Sequence, residues 1–175
     1  SYIAQGARFI RLDAIAFLWK ELSTSSINLE QTHCVVRVLR ALIDEMQTQT
    51  LLLTETNLPH NENVSYFGSR DEAHLVYQFS LAPLILYSYL FNDGQYLGQW
   101  AEQLEPPPAG CSFVNFIASH DGIGLRPLEG LVPASDIQRL TDAAHERGGF
   151  AAMRSADDGT ETCLLYTSPS PRDIS

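Results

Sequence analysis

The chain has 175 residues, of which 45% are hydrophobic and 18% are charged, a composition typical of a globular protein rather than a disordered one. Its net charge of -10, with no cluster of Lys and Arg, disfavours a nucleic-acid partner. The 3 cysteines form no C-x-x-C pair and no apolar stretch is long enough to cross a bilayer, so we expect no metal site, no disulfide framework and no membrane partner.

The first predicted element is a strand within RFIRLDAIAFLW, residues 8–19, which carries two charged residues in an apolar run. Arg11 and Asp13 are two residues apart, so on a strand both side chains lie on the same face and share one environment. Taken alone, such a pair is more often a structural ion pair than part of a catalytic site. The rest of the chain must decide between these two interpretations.

A helix and a second strand are predicted next. Residues 51–57, LLLTETN, form a short apolar run that ends near Glu55 and is typical of a strand covered on both faces. The helix before it is amphipathic, and strand, helix and strand together form a βαβ unit. The apolar residues that we expect on the sheet-facing side of this helix are Cys34, Val35, Val38, Leu39, Leu42, Ile43 and Met46.

The alternation of strands and helices continues along the chain. Strands are predicted at 74–79 and 112–122, and the helix between them begins in LAPLILYSYLF, residues 81–91. A further helical stretch runs to about Leu104, and Pro133 opens a last helix. Four strands alternating with helices predict a parallel sheet, either open and doubly wound or part of an eight-stranded barrel.

Three carboxylates favour the barrel. Asp13, Glu55 and Asp121 each stand at the C-terminal end of a different predicted strand. The C-terminal ends of barrel strands are where catalytic groups collect. We therefore expect an α/β fold that is a partial TIM (β/α)8 barrel, with the three acids at one mouth.

Three motifs in order resemble those of the α-amylase superfamily, glycoside hydrolase family 13. FIRLDA, TETN and ASHDGIG are similar to the motifs of its strands four, five and seven, and the run from His120 to Gly124 is shared with the sucrose phosphorylase subfamily. The resemblance covers Tyr2 to about Thr162. It implies that residues 1–162 supply about strands four to seven of the catalytic barrel, with their helices.

The resemblance also implies roles for the acids. Asp13 would be the nucleophile, Glu55 the general acid and base, and Asp121 the stabiliser of the transition state. These roles agree with the physics, because Arg11 favours an ionised Asp13, whereas Glu55 must hold a proton for the leaving group. His120 would hydrogen-bond a sugar hydroxyl.

Substrate preference follows from two further stretches. Ala16 and Phe17 replace the Lys-His pair found in many amylases, which argues against starch and calcium. Residues 55–68, ETNLPHNENVSYFG, look more like the glucosylglycerate phosphorylases of the subfamily than its sucrose-specific members. Asn57 and His60 lie where the leaving group should sit, although a polar surface loop explains them equally well.

The implied function is phosphorolysis of a small α-glucoside to glucose 1-phosphate. Inorganic phosphate is then a co-substrate, no cofactor is expected, and the use of phosphate suggests the cytoplasm. Two alternatives stay open: a retaining hydrolase on the same barrel, and an inert truncated polypeptide, because a complete barrel takes about 250 residues.

The end of the chain looks foreign to this fold. CLLYTSPSPRD, residues 163–173, resembles the translation of an adapter used in sequencing libraries. We therefore expect residues 163–175 not to be native and to pack against nothing.

Overall fold

The computed structural model describes residues 2–47, 49–155 and 161–166. They form two compact units. The first unit comprises Ser1–Tyr77 and Pro106–Val114, and the second comprises Gln78–Glu105 and Asn115–Ser175. The core of each unit is built from its own side chains.

The first unit contains a four-stranded sheet in the order β1-β2-β3-β4, and every neighbouring pair is parallel. In β1 and β2, Leu12 lies opposite Thr54, so the next residues along both chains, Asp13 and Glu55, leave the sheet at the same edge. The parallel sheet of the predicted α/β fold is thereby confirmed. The strands are β1 (Phe9–Leu12), β2 (Leu51–Thr54), β3 (Leu75–Tyr77) and β4 (Ser112–Val114).

Two helices belong to the first unit, α1 (Glu30–Glu45) and α2 (His60–Val64). The helix predicted after the first strand is confirmed as α1, but its predicted sheet-facing side is partly wrong. Val38, Leu42 and Met46 are more than half exposed, at 59%, 56% and 52%. The residues of α1 that are buried are Thr32, His33, Val36 and Ile43.

The buried carboxylate of Glu72 explains why α1 turns polar residues inward. Glu72 is 2% exposed, His33 Nδ1 lies 2.7 Å from its Oε2, and Arg37 donates to its Oε1 at 3.0 Å. Arg40 also donates to the backbone oxygen of Glu72, at 3.1 Å. A buried charge is tolerated only when it is paired and hydrogen-bonded, so these partners on α1 must face the interior.

Gly68 is required beside this cluster, which gives a prediction on stability. Its φ is +53°, and a Cβ at this position would lie 2.9 Å from Glu72 Cγ and closer still to Asp71 Oδ1. We expect Gly68→Ala to lower the free energy of unfolding by about 1–3 kcal/mol, through backbone strain and this clash. Urea unfolding followed by circular dichroism measures the change.

Gly6→Ala is the matched control, because Gly6 also has a positive φ, +96°, but has nothing within 4 Å of a Cβ. The clash at Gly68 is contradicted if both variants lose the same free energy of unfolding.

The second unit contains the helices α3 (Leu81–Phe91), α4 (Gln95–Gln103) and α5 (Ala134–Glu146). All three confirm predicted helices, and α5 begins directly after Pro133. It is followed by Gly148, whose φ of +78° suits a helix end that only glycine forms without strain. In the described part of the chain, no helix combines the length and apolarity needed to cross a membrane.

The predicted fourth strand is shorter than expected. The strand β4 ends at Val114, so Asp121 lies seven residues beyond it and not at its end. The chain instead makes a turn in which Gly122, with a φ of +78°, donates through its backbone N–H to Ser119 O at 3.2 Å. The strand β5 (Ile123–Gly124) follows this turn.

The expectation that residues after Thr162 pack against nothing is wrong. The strands β6 (Phe150–Ser155) and β7 (Glu161–Tyr166) are antiparallel, and β7 also pairs with β5. Leu165 is 2% exposed and belongs to the core of the second unit. An apolar residue at an inward position of a paired strand is buried whatever its origin, so the foreign origin of residues 163–175 stays a prediction, and residues 167–175 lie outside the described part.

Candidate active site

Asp13 and Glu55 are held at one edge of the sheet by backbone hydrogen bonds that extend beyond β1 and β2. The N–H of Glu55 donates to Leu12 O at 3.1 Å, and the N–H of Ile15 donates to Glu55 O at 3.1 Å. The strand pairing therefore fixes the backbone on both sides of Asp13 relative to Glu55. This is the arrangement expected from two parallel strands that each end in an acid.

Arg11 lies between the two acids. Its guanidinium forms an ion pair with Asp13 Oδ1, and its Nη2 lies 3.9 Å from Glu55 Oε2. Burial acts to lower the pKa of Arg11, but the negative charges of Asp13 and Glu55 outweigh it, so the pKa is raised above its ordinary value. Arg11 therefore stays positively charged, and its contacts bring Asp13 and Glu55 into one cluster.

The two carboxylates have different surroundings. The side chain of Asp13 is 74% exposed, whereas that of Glu55 is 18% exposed. Glu55 Oε2 accepts a hydrogen bond from the backbone N–H of Ala14 at 2.7 Å. An open carboxylate beside a sheltered, oriented one is a suitable starting point for splitting the roles of nucleophile and acid.

Ala14 makes its hydrogen bond from an unusual backbone conformation. Its φ of +47° lies in the left-handed region, which residues with a side chain rarely adopt. Such strain concentrates at functional sites. Sequence reasoning missed this contact, because a backbone donor leaves no signature in the residue type.

The loop after Glu55 is braced by buried polar contacts. Thr56 Oγ1 donates to Asn63 Oδ1 at 2.6 Å, and Asn63 Nδ2 donates to the backbone oxygen of Tyr77 at 2.7 Å. Asn57 Oδ1 and His60 Nδ1 are buried and have no hydrogen-bond partner within the described residues. Burial also lowers the pKa of His60, which favours a neutral ring. Leaving buried polar atoms without a partner costs free energy.

His120 and Asp121 belong to the second unit and lie in the turn before β5. His120 Nε2 lies 3.2 Å from Asp121 Oδ2, and the two side chains are 80% and 61% exposed. The N–H of Asp121 is bound by Ser119 Oγ at 3.2 Å. The convergence of Asp121 with Asp13 and Glu55 stays a prediction.

The absence of a metal site also stays a prediction. The described residues contain no group of three or more His, Cys, Asp and Glu side chains that could hold a metal ion.

The chain is similar to proteins named glucosylglycerate phosphorylase. No protein-family model matches it. It is 49% identical over 158 residues to the glucosylglycerate phosphorylase of Spirochaeta thermophila, with 90% of this chain and 27% of that protein covered. It is 46% identical over 162 residues to the glucosylglycerate phosphorylase of Escherichia coli (strain K12), with 92% and 29% covered. These relatives confirm the resemblance to the sucrose phosphorylase subfamily of glycoside hydrolase family 13.

A solved structure confirms the predicted fold. The crystal structure of sucrose 6F-phosphate phosphorylase from Thermoanaerobacter thermosaccharolyticum superimposes with a TM-score of 0.79 at 21% identity, covering 94% of this chain and 33% of that one. The chain therefore has part of the subfamily's (β/α)8 barrel. It spans less than a third of the length of the relatives compared.

Proposed function

We propose that the full-length protein containing this chain is a retaining phosphorylase that transfers the glucosyl group of an α-glucoside, of the glucosylglycerate or sucrose type, to inorganic phosphate. The observation that carries this proposal is the pair Asp13 and Glu55, gathered around Arg11 where two neighbouring parallel strands end. The names of the relatives support the substrate class. Phosphate acts as a co-substrate, and no cofactor is needed.

The first step forms a bond between Asp13 and the sugar. An oxygen of Asp13 attacks the anomeric carbon while Glu55 gives its proton to the glycosidic oxygen. The bond between the anomeric carbon and that oxygen breaks, and the leaving group departs as a neutral hydroxyl with the bonding electron pair. A covalent glucosyl-Asp13 intermediate remains.

The second step releases the product. An oxygen of hydrogen phosphate attacks the anomeric carbon from the opposite side, the bond to Asp13 breaks, and the proton of the phosphate returns to Glu55. Two inversions give net retention, so the product is α-glucose 1-phosphate.

The remaining residues are assigned to binding. Asp121 stabilises the positive charge that develops on the sugar, and His120 binds a sugar hydroxyl. Asn57 and His60 are assigned to binding the leaving group, because they follow Glu55 in the chain and each has a buried polar atom without a partner.

A retaining hydrolase is the second candidate function. It rests on the same pair, since Asp13 and Glu55 would carry out the same first step before attack by water. Water would then replace phosphate in the second step and free glucose would be the product.

Phosphate dependence separates the two functions. We expect the full-length protein to turn over glucosylglycerate or sucrose faster with phosphate than without it by about tenfold or more, a barrier difference of about 1.4 kcal/mol. Chromatography of the products measures glucose 1-phosphate and free glucose. Equal rates in both buffers, with glucose as the product, would establish the hydrolase instead. The 175-residue chain, assayed in parallel, is expected to be inactive.

A further inference from the structure

The segment between β1 and α1, residues 14–29, connects the proposed nucleophile to helix α1. At its start, the backbone N–H groups of Ala14 and Ile15 bind Glu55, through Oε2 at 2.7 Å and through the backbone oxygen at 3.1 Å. The placement of Glu55 therefore depends on how this segment is held. It contains no α-helix or strand that would fix it by itself.

Asn28 holds the other end of the segment. Its backbone N–H donates to Ala16 O at 2.8 Å, next to Ile15 in the chain. Its Oδ1 lies 3.2 Å from His33 Nε2. The φ of Asn28 is +54°, a left-handed conformation that asparagine adopts more readily than most residues.

His33 connects Asn28 to the buried interior of the first unit. Its Nδ1 lies 2.7 Å from Glu72 Oε2, so each ring nitrogen faces an oxygen atom. His33 is 8% exposed, and its ring stacks on Tyr66 with 4.4 Å between ring centroids. A histidine fixed on both edges and one face has little freedom to move, so it is a rigid anchor for Asn28.

We propose that Asn28 and His33 are positioning residues for Glu55 and Asp13, an inference that rests on the proposed function. His33 contacts Glu72 and the side chain of Asn28, one through each ring nitrogen. The backbone N–H of Asn28 donates to Ala16 O, and the two residues before Ala16 donate to Glu55. In this proposal both residues act through residues 14–16 and not on the substrate. Misplacement of a reacting group by about 1 Å lowers catalysis by about 10²-fold, so a loosened segment reduces turnover without removing a catalytic group.

Three substitutions of Asn28 separate its contributions. Asn28→Asp keeps an oxygen acceptor and tolerates the left-handed backbone, Asn28→Gly keeps only the backbone freedom, and Asn28→Ala keeps neither. Ser23→Ala is the matched control, since Ser23 lies in the same segment, has a φ of +65° and is exposed. His33→Gln tests the anchor from the other side.

The test measures kcat and KM of these variants in the full-length protein, with active sites counted by the trapped glucosyl adduct. We expect Asn28→Gly, Asn28→Ala and His33→Gln to lower kcat per active site by about tenfold or more with KM changed less than about twofold, because the loss lies in orienting the reacting groups. Asn28→Asp should restore most of kcat, and Ser23→Ala should match the wild type. A purely structural role would reduce the number of active sites but leave kcat per site unchanged.

The outcomes are distinguishable from a failure of the proposed function. If the wild type hydrolyses its substrate without phosphate, the phosphorylase proposal is wrong, and the same comparison of variants is made on the hydrolytic rate. If kcat per site in Asn28→Gly and His33→Gln equals that in Ser23→Ala, the positioning role is overturned. If Asn28→Gly or Asn28→Ala does not fold, kcat per site of His33→Gln is compared with that of Asn28→Asp. Equal values overturn the positioning role, whereas a value about tenfold lower in His33→Gln supports it.

Discussion

Replacing Asp13 by asparagine is expected to abolish turnover of every glucosyl donor, by about 10⁴-fold or more, as for other covalent nucleophiles. An amide oxygen cannot form the glucosyl ester, so even glucosyl fluoride, which carries its own good leaving group, should not restore activity. The same amide oxygen can still accept a hydrogen bond from Arg11, so the fold should change little. Initial rates with the natural substrate and with glucosyl fluoride measure the effect in the full-length protein.

Asp44→Asn is the matched control for this variant. Asp44 lies on α1, pairs with Arg40 at 2.9 Å and has a side chain that is 55% exposed. Loss of such a surface pair changes stability by about 1 kcal/mol at most and should leave turnover intact. If the Asp13→Asn variant still consumes glucosyl fluoride at a rate near that of the control, another residue is the nucleophile.

The placement of Asp13 and Glu55 could be predicted because it depends on strong, regular features of the sequence. Two apolar runs joined by an amphipathic helix form parallel neighbours, and an acid at the end of each run must then lie at the same edge. The ion pair of Arg11 and Asp13 follows from the period of two along a strand. Such a pattern does not indicate the contact of Arg11 with Glu55 or the hydrogen bond from the backbone N–H of Ala14 to Glu55. Both depend on the path of the chain after β1.

The orientation of α1 shows why the buried side of a helix could not be predicted from its own sequence. Its helical spacing predicts one apolar, sheet-facing side, which includes Val38, Leu42 and Met46. The structure turns the helix so that Val36 and Ile43 are buried together with His33. Glu72, an acid 27 residues after α1, is buried there and needs hydrogen-bonding partners. A single acid in a loop carries no sequence signal of burial, so the pairing with His33 and Arg37 could be found only from the fold.

A similar limit explains the errors after β4. The run from Ser112 to Gly122 is apolar enough for a long strand, but the turn at Ser119 and Gly122 ends any regular extension. Residues 163–166 of β7 resemble an adapter translation, yet alternation along a strand is sufficient to bury Leu165. Local patterns predict what a segment can form, while its neighbours determine what it does form.

Replacing Glu55 by glutamine is expected to slow the natural substrate but to leave glucosyl fluoride reactive, unlike Asp13→Asn. Turnover of the natural substrate should fall by about 10²- to 10⁴-fold, because its leaving group departs only with a proton. Glucosyl fluoride needs little acid help, so it should still glucosylate Asp13 in this variant. In the wild type, the backbone N–H of Ala14 donates a hydrogen bond to Glu55 Oε2 at 2.7 Å. The side-chain oxygen of glutamine can accept the same hydrogen bond, so the segment after β1 should hold its position.

Mass spectrometry of the Glu55→Gln protein after reaction with glucosyl fluoride tests the assignment of both acids at once. The peptide that contains Asp13 should gain the mass of one glucosyl group, and the rate of its formation should resemble that of the control Glu62→Gln, a substitution on the neighbouring helix α2. Finding the adduct on Glu55 in the wild type would exchange the two roles. Equal recovery of Asp13→Asn and Glu55→Gln with glucosyl fluoride would contradict the assignment of a nucleophile to Asp13, because only loss of the acid can be bypassed by a better leaving group.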